Sequence, residues 1–174
     1  MKKIWIVFIF MAGLSADDIV LPSSFRADFI QTITNADAKV IRYEGEVLFS
    51  DRRRLKWTYR SPTRKEVCTD GREVLVVDHD LEQVSAYRID RGFDLSRIIA
   101  EAKPYSGDIF VTEYGGKQYT LRLDSKGQLE SVAFYDDLDN KVQILFGHMR
   151  YRRQPYRVME MSCDYPADYD MIRG

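Results

Sequence analysis

The sequence predicts a mainly β protein in which antiparallel strands curl into a barrel or half-barrel and two short helices accompany them. About nine or ten runs between residues 40 and 163 alternate apolar with polar side chains, and short turn segments separate the runs. A meander of that many strands usually curls on itself. Two helices are too few to cover both faces of such a sheet, but they could cover the open side of a curved one.

The stretch from residue 55 to residue 87 is the clearest part of this meander. Four strand-like runs make up this stretch. Three turn segments separate them: Ser61-Pro62, Thr69-Asp70-Gly71 and Asp78-His79-Asp80. In the first run, Leu55, Trp57 and Tyr59 fall on one face, because strand side chains alternate with a period of two. Apolar side chains of this size line either a core or a ligand cavity.

Two segments instead carry apolar residues at helical intervals of three and four. The first would be a short helix before the strands, with these residues on one face: Phe25, Phe29, Ile30 and Ile33. The second would be inserted midway, from Leu95 to Ala102, with this apolar stripe: Leu95, Ile98, Ile99 and Ala102. Asp94 or Ser96 would cap the second helix, and Lys103-Pro104 would end it.

The remaining runs predict further strands on either side of the second helix. From Val40 to Ser50, Tyr43, Val47 and Phe49 share one face. Five more strand-like runs follow later in the chain: Ile109 to Tyr114, Gln118 to Leu123, Leu129 to Tyr135, Lys141 to Tyr151 and Tyr156 to Cys163. Their connections have turn chemistry, as in Asp137-Leu138-Asp139-Asn140.

Length and charge narrow the class of protein. The chain has 174 residues, which suits one domain, and 45% of them are hydrophobic. With 26 basic and 27 acidic residues, the net charge of −1 does not steer the whole molecule towards nucleic acid or an anionic membrane.

The first 16 residues have the pattern of a secretory signal peptide. Lys2-Lys3 is followed by the apolar run Ile4 to Gly13, and Gly13-Leu14-Ser15-Ala16 offers small residues at a cleavage point. The apolar run is shorter than the ~20 residues that span a bilayer, which disfavours the alternative of an uncleaved anchor. We therefore expect an exported domain from residue 17 to residue 174.

Export makes a disulfide between the two cysteines, Cys68 and Cys163, chemically feasible. Each cysteine also lies in an apolar, strand-like run, where a free buried thiol is common. The sequence leaves both alternatives open and slightly favours free thiols.

No catalytic, metal or cofactor site is predicted. Asp78-His79-Asp80 is the group most similar to a metal or general-base site, but it falls where a hairpin turn is needed. The chain has two histidines, so a site of three histidine ligands is excluded. The clusters Arg52-Arg53-Arg54 and Arg150 to Arg153 have aromatic neighbours, but in a charge-balanced exported protein solvated turns or a docking patch are favoured over nucleic-acid binding.

Part of the chain resembles a known family. Trp57 ends a strand, Pro62 follows a polar link, and Val67 to Gly71 stands where the family has a Val-Ser-Asp-Gly turn. Val74 to Val77 is then a hydrophobic strand, and Asp78 to Val84 is an acidic turn leading to Leu-Glu-Gln-Val. On these motifs the chain resembles the outer-membrane lipoprotein carrier family of periplasmic chaperones, most closely over residues 25–87.

The resemblance implies an unclosed antiparallel barrel with a helical lid over a hydrophobic cavity, and it places Phe25 and Phe29 to Gln31 in the first helix. It also implies a function. Members of the family take acylated lipoproteins from an inner-membrane ABC transporter and carry them through the periplasm to an acceptor at the outer membrane. A monomer without enzymatic activity is expected.

The chain departs from the family at the segment before the Trp57 strand. The family usually has an Arg-Pro pair there, and its arginine is thought to hold the lid closed. A gapless alignment on Trp57 places Asp51-Arg52 at that point. Arg52 or Arg53 could therefore serve as the lid latch.

Twelve apolar side chains are the predicted lining of the acyl-chain cavity: Phe25, Phe29, Ile33, Tyr43, Val47, Phe49, Leu55, Trp57, Tyr59, Leu75, Ile98 and Ile99. For each of them plain core packing is the alternative, and a one-residue error in a strand would move its set to the other face. Two other functions stay open. The protein could carry or sense another lipid or glycolipid in the same fold, or it could be a small exported hydrolase.

Overall fold

A computed structural model describes residues 19, 22–51, 53–88 and 94–173 of the chain. The predicted signal peptide and the boundary after residue 16 lie outside these residues, as does Arg52. Within the described part, twelve strands form one sheet and two short helices accompany it. The predicted mainly β class is confirmed.

The strands, in chain order, have these bounds: β1 Ser24–Thr34, β2 Val40–Ser50, β3 Arg54–Ser61, β4 Lys65–Thr69, β5 Glu73–Asp78, β6 Gln83–Arg88, β7 Lys103–Ser106, β8 Ile109–Tyr114, β9 Lys117–Leu123, β10 Leu129–Tyr135, β11 Lys141–Arg152 and β12 Asp170–Arg173. The helices are α1 Leu95–Ala100 and α2 Val158–Met161. None of the helices in the described residues is long and apolar enough to cross a membrane.

The sheet is unclosed, as predicted. Its strand order is β12-β6-β5-β4-β3-β2-β1-β11-β10-β9-β8-β7, so β12 and β7 are its two edges. Neighbouring strands pair antiparallel throughout, except that β12 runs parallel to β6. The chain meanders through β1 to β6 on one side of β1 and through β7 to β11 on the other, which makes β1 the central junction of the two halves.

The predicted first helix is wrong, because Ser24–Thr34 is strand β1. Phe25, Phe29 and Ile33 are four residues apart, and an interval of four fits one face of a strand as well as one face of a helix. Pairing decides between the two structures, since β1 is hydrogen-bonded to β2 on one side and to β11 on the other. Ile30 accordingly lies on the opposite face from the other three.

The second predicted helix is confirmed as α1, although it ends at Ala100 rather than at Ala102. Asp94 is its N-cap, and the Asp94 carboxylate accepts a hydrogen bond of 3.1 Å from the Arg97 backbone N–H. Leu95, Ile98 and Ile99 form its buried stripe.

We call the face of the sheet that carries Phe25, Phe49 and Trp57 the inner face, and the opposite face the outer face. The main core lies on the inner face beneath α1. On the outer face a smaller set of side chains is buried: Cys68, Val77, Val84, Tyr156 and Met161. The last two belong to the C-terminal strap, residues 153–173, which lies across the outer face.

The run Tyr156 to Cys163 was predicted as a strand, and that prediction is wrong, because the segment forms a loop and helix α2 within the strap. The Tyr156 backbone N–H donates to the Ser50 hydroxyl at 2.9 Å, and the Lys56 ammonium donates to the Ser162 carbonyl at 2.8 Å. These bonds to outer-face residues replace the pairing that a strand would need.

A disulfide joins Cys68 of β4 to Cys163 of the strap, with their Cα atoms 5.8 Å apart. The slight preference of the sequence for free thiols is therefore wrong. The two cysteines are 95 residues apart in the chain, so the bond closes a long loop and fixes the strap to the outer face.

We predict that Cys68→Ala/Cys163→Ala lowers the free energy of unfolding by about 4 kcal/mol, because the chain-entropy account gives that magnitude for a loop of this length. Urea denaturation of the oxidised protein and of the variant measures the difference. The wild type in reductant should match the variant, and the variant should not respond to reductant. Equal midpoints for the oxidised protein and the variant would contradict the prediction.

Candidate ligand-binding site

Aromatic side chains dominate the inner face where β1, β2 and β3 meet. The rings of Phe25 and Phe49 stack with centroids 5.0 Å apart. The Phe29 ring makes edge contacts with Trp57 at 4.8 Å and with Tyr59 at 5.0 Å. Such geometries add to the free energy gained from burial alone.

The strand register explains this arrangement. Residues paired across antiparallel strands share a face, and three successive rows cross β1, β2 and β3 on the inner side. The rows are Phe25–Phe49–Leu55, Ala27–Val47–Trp57 and Phe29–Gly45–Tyr59. Small residues in two of the rows leave room for the large rings beside them.

Gly45 is required by the close approach of its neighbours. A Cβ atom at residue 45 would lie 2.1 Å from the Thr58 carbonyl oxygen and 2.8 Å from Cε1 of Phe29. Any side chain would therefore displace the Phe29 ring or separate β2 from β3.

Helix α1 covers the inner face. Leu95, Ile98 and Ile99 are each at most 2% exposed and belong to the same core as Phe25 and Trp57. On the exposed side of the helix, the Arg97 guanidinium lies 5.1 Å from the centroid of the Tyr114 ring of β8. Three apolar side chains on a single helix thus seal this part of the inner face.

The other half of the sheet completes the core with side chains that the sequence-based lining did not include: Phe110, Tyr119, Leu121, Leu129, Val132, Val142, Ile144 and Phe146. Alternation was the signal that could have identified them, since β9 and β11 bury every second residue. Phe146 comes within 6.2 Å of Trp57, centroid to centroid, and so links the two halves.

The structure brings together most of the predicted lining. Eight of its residues lie in the buried core: Phe25, Phe29, Val47, Phe49, Leu55, Trp57, Ile98 and Ile99. Ile33 and Tyr59 are partly buried and pack against that core. Tyr43 contacts it through the Tyr59 ring, with the two centroids 5.7 Å apart. The structure thus places these eleven side chains on one surface.

Leu75 does not belong to this surface. It pairs with Cys68, which in turn pairs with Lys56 on β3, so Leu75 lies on the outer face, next to the strap. Val67 and Val76 take the inner positions of β4 and β5, because Val67 pairs with Trp57 and with Val76. The assignment of Leu75 to the cavity is therefore wrong, because the inward-facing positions of β5 are shifted by one residue from the predicted one.

The inner face forms a packed core with a cavity at its rim. This cavity, of about 350 Å³, lies at the N-terminus of α1, between Phe49, Leu55 and Leu95. Arg53 and Asp94 also border it. Arg53 thus lies beside the beginning of the helix that it was predicted to latch.

One polar group lies within the aromatic cluster. The Tyr59 hydroxyl donates a hydrogen bond of 2.9 Å to the Gln31 side-chain oxygen. Burial raises the pKa of Tyr59 far above its usual range, and the neighbouring Tyr43 raises it further. The phenol therefore stays neutral, and an uncharged lining suits an apolar ligand.

The Asp78-His79-Asp80 group forms a turn, as predicted. The Asp78 carboxylate accepts the backbone N–H groups of Asp80 and Leu81, at 3.2 and 3.1 Å. The Asp80 carboxylate accepts two hydrogen bonds from Arg64, and Nδ1 of His79 lies 3.2 Å from the Tyr169 hydroxyl. These contacts connect the turn to its surroundings and give it a structural role.

Among the described residues, one cluster has a spacing that could hold a metal ion: Glu66, Cys68 and Cys163. The two sulfur atoms are bonded to each other. Thiolates, not disulfide sulfurs, are the metal ligands that cysteine provides, so the oxidised cluster does not fit a metal.

A half-closed sheet with an apolar inner face under one short helix defines a class of proteins suited to binding apolar ligands. Comparison with known proteins identifies the family within this class. Residues 22–99 match the model of the family described as outer membrane lipoprotein carrier protein LolA. Relatives that span most of the chain extend this match beyond residue 99.

Three similar proteins are each named outer-membrane lipoprotein carrier protein. The one from Wolinella succinogenes is 29% identical over 171 residues, covering 98% of this chain and 96% of the relative. The one from Campylobacter jejuni is 28% identical, covering 99% and 100%. The one from Helicobacter hepaticus is 31% identical over 121 residues, covering 70% and 68%. The chain therefore belongs to the LolA family of outer-membrane lipoprotein carriers.

Similarity to a solved structure supports the assignment of the fold but carries no information on function. The crystal structure of an uncharacterised conserved protein from Thermus thermophilus superposes with a TM-score of 0.55 at 11% identity. The superposition covers 88% of this chain and 92% of that one.

We predict that Gly45→Ala lowers the free energy of unfolding by about 2–3 kcal/mol, because the added methyl group clashes with backbone and with the Phe29 ring. Chemical denaturation measures the change. Gly147→Ala is the matched control, since its Cβ would meet no atom within 4 Å, and we expect a change within about 0.5 kcal/mol. If both variants are as stable as the wild type, the close packing at residue 45 is refuted.

Proposed function

We propose that this protein is a periplasmic carrier that binds the acyl chains of lipoproteins released from the inner membrane and delivers them to the outer membrane. The observation that carries the proposal is the inner face, whose large aromatic and aliphatic surface is covered by the three apolar side chains of α1. Membership of the lipoprotein carrier family supports the same function.

The physical chemistry of lipoproteins requires such a carrier. An acyl chain has roughly 15 methylene groups, and the burial of each is worth ~0.8 kcal/mol. Moving one chain from a membrane into water therefore costs on the order of 10 kcal/mol. A protein that offers a closable apolar surface removes most of this barrier.

Helix α1 has the right size to exchange with an acyl chain. Full burial of an aliphatic side chain is worth about 1.5–3 kcal/mol, so Leu95, Ile98 and Ile99 together contribute about 5–9 kcal/mol. One acyl chain gains about as much or slightly more from the same surface. Displacement of α1 by the chain is therefore close to balanced, which allows both capture and release.

The cavity at the N-terminus of α1 is the proposed entrance. Its apolar wall is continuous with the aromatic rows through Phe49 and Leu55. Arg53 lies at its rim with Asp70 and Asp94 on the same cavity wall. We assign Arg53 the role of latch, since an ion pair with Asp94, the N-cap of α1, would bridge the β2–β3 turn and the closed helix.

Two partners follow from this function. An inner-membrane ABC transporter would supply the lipoprotein, and an acceptor at the outer membrane would receive it. A monomeric carrier needs access to its entrance from both.

We predict that Ile98→Glu weakens the capture of a triacylated lipoprotein at least tenfold, because the variant places a carboxylate against the surface that receives the acyl chains. Capture is measured by incubating the purified protein with detergent-solubilised lipoprotein and separating the complex by size exclusion.

Ala100→Glu is the matched control, because residue 100 lies on the exposed side of the same helix. It should bind lipoprotein like the wild type. Circular dichroism should show the same strand content for all three proteins. Unchanged capture by Ile98→Glu would contradict the assignment of α1 as the lid, and capture of free lipid alone would favour a different lipid carrier.

A further inference from the structure

The outer face carries a local concentration of positive charge that the proposed carrier function does not use. Residues 150–157 contain four arginines and no carboxylate, although the whole chain has a net charge of −1. By contrast, residues 108–139 contain seven carboxylates and three basic side chains. Residues 150–157 are therefore a locally basic segment, and the rest of the strap adds four carboxylates: Glu160, Asp164, Asp168 and Asp170.

Three of the four arginines form no salt bridge with a carboxylate in the described part of the chain. Hydrogen bonds from Arg157 lower the pKa of Glu160, and the nearby charge of Arg152 lowers it further. Arg157 forms an ion pair with Glu160, at 3.1 Å. The Arg152 guanidinium lies over the Tyr156 ring, 4.5 Å from its centroid, and no described carboxylate lies within salt-bridge distance of Arg150, Arg152 or Arg153. All three are exposed. An anionic surface could therefore bind them without first breaking an ion pair.

Apolar side chains protrude from the strap within six residues of Arg153 in the chain. Helix α2 buries Met161 against the outer face, whereas Val158 is 67% exposed and Met159 is 88% exposed. We call Arg150, Arg152, Arg153, Val158 and Met159 the outer patch. Exposed methionine and valine are costly in water and are stabilised when a partner covers them.

The outer patch is held in place by its surroundings. Arg150 pairs with Arg26 and Arg152 pairs with Ser24 in the β1–β11 ladder. Ser24 and Arg26 flank the inner-face residue Phe25, so both arginines lie on the outer face. The strap begins there and is fixed by the Tyr156–Ser50 hydrogen bond, the Lys56–Ser162 hydrogen bond and the disulfide. The conformational entropy of the strap is therefore already lost on folding, and binding to a partner need not order it again.

The chemistry of the outer patch points to one kind of partner. Cationic side chains beside protruding apolar ones are typical of proteins that lie on anionic bilayers, where arginines bind phosphate and apolar groups enter the interface. A folded protein partner would need a pocket matched to Val158 and Met159, and an acidic peptide would leave them in water. A bilayer interface deforms to accept them.

We propose that the outer patch docks this protein on a membrane surface rich in anionic phospholipid, with Arg150, Arg152 and Arg153 on lipid phosphates and with Val158 and Met159 inserted between headgroups. The patch lies on the opposite face of the sheet from the candidate ligand-binding site. Docking therefore leaves the site free, and it can be tested independently of the carrier function.

The test uses the exported protein and sedimentation with lipid vesicles. Phosphatidylcholine vesicles with about one-third phosphatidylglycerol should bind the wild type, and pure phosphatidylcholine vesicles should bind it at least tenfold more weakly. Raising the salt from about 0.1 M to about 0.5 M should release most of the bound protein, because the shorter Debye length screens the arginines.

Variants locate the binding surface. One basic residue near an anionic membrane contributes about fivefold in affinity, so the charge reversal Arg153→Glu should weaken binding by more than tenfold. Met159→Glu should weaken it about tenfold or more, because it removes an inserted apolar side chain. Lys126→Glu and Leu138→Glu are the matched controls, since both residues are exposed and lie in the acidic region. They should bind like the wild type.

Three outcomes would overturn the proposal. Binding could be equal for neutral and anionic vesicles, the controls could weaken it as much as the patch variants, or the patch could bind vesicles only when membrane proteins are present. The last outcome would assign the outer patch to a protein partner. Residues 153 and 159 are exposed, so thermal melting should show that their variants fold like the wild type.

Discussion

The structure depends on one constraint: a strongly apolar sheet face that the sheet does not close upon. Edges β12 and β7 are not paired with each other, so the aromatic rows from Phe25 to Trp57 must be covered by something other than more sheet. In the described residues the cover is the buried stripe of α1. The packing at Gly45, the neutral phenol of Tyr59 and the cavity beside Arg53 all follow from how this surface is filled and bounded.

The two faces of the sheet have different means of stabilisation. The inner face is held by apolar contacts that an acyl chain could replace at similar free energy, which suits reversible binding. The outer face is stabilised by the strap, and an acyl chain cannot replace the strap's disulfide and hydrogen bonds. Exchange of α1 for an acyl chain on the inner face therefore need not disturb the strap on the outer face.

The sequence predicted the strand meander and α1, because alternation, turn residues and the helical stripe are local signals. It failed where a local pattern fits two structures. The four-residue spacing of Phe25, Phe29 and Ile33 suits a strand and a helix alike, and only the pairing partners of β1 decide. The run Val74 to Val77 is uniformly apolar, so it contains no information on which residues face inward, and Leu75 was misplaced. The bond between Cys68 and Cys163 depends on tertiary structure across 95 residues.

The most direct test of the central claim measures contact between an acyl chain and Trp57. The chain contains two tryptophans, Trp5 and Trp57, and Trp5 lies in the predicted signal peptide. Trp5→Phe would leave Trp57 as the sole tryptophan in any case. If acyl chains occupy the inner face, a lipoprotein with brominated acyl chains should quench Trp57 fluorescence, whereas the same polypeptide without acyl chains should not. A stable complex with the brominated lipoprotein in which Trp57 stays unquenched would contradict the account.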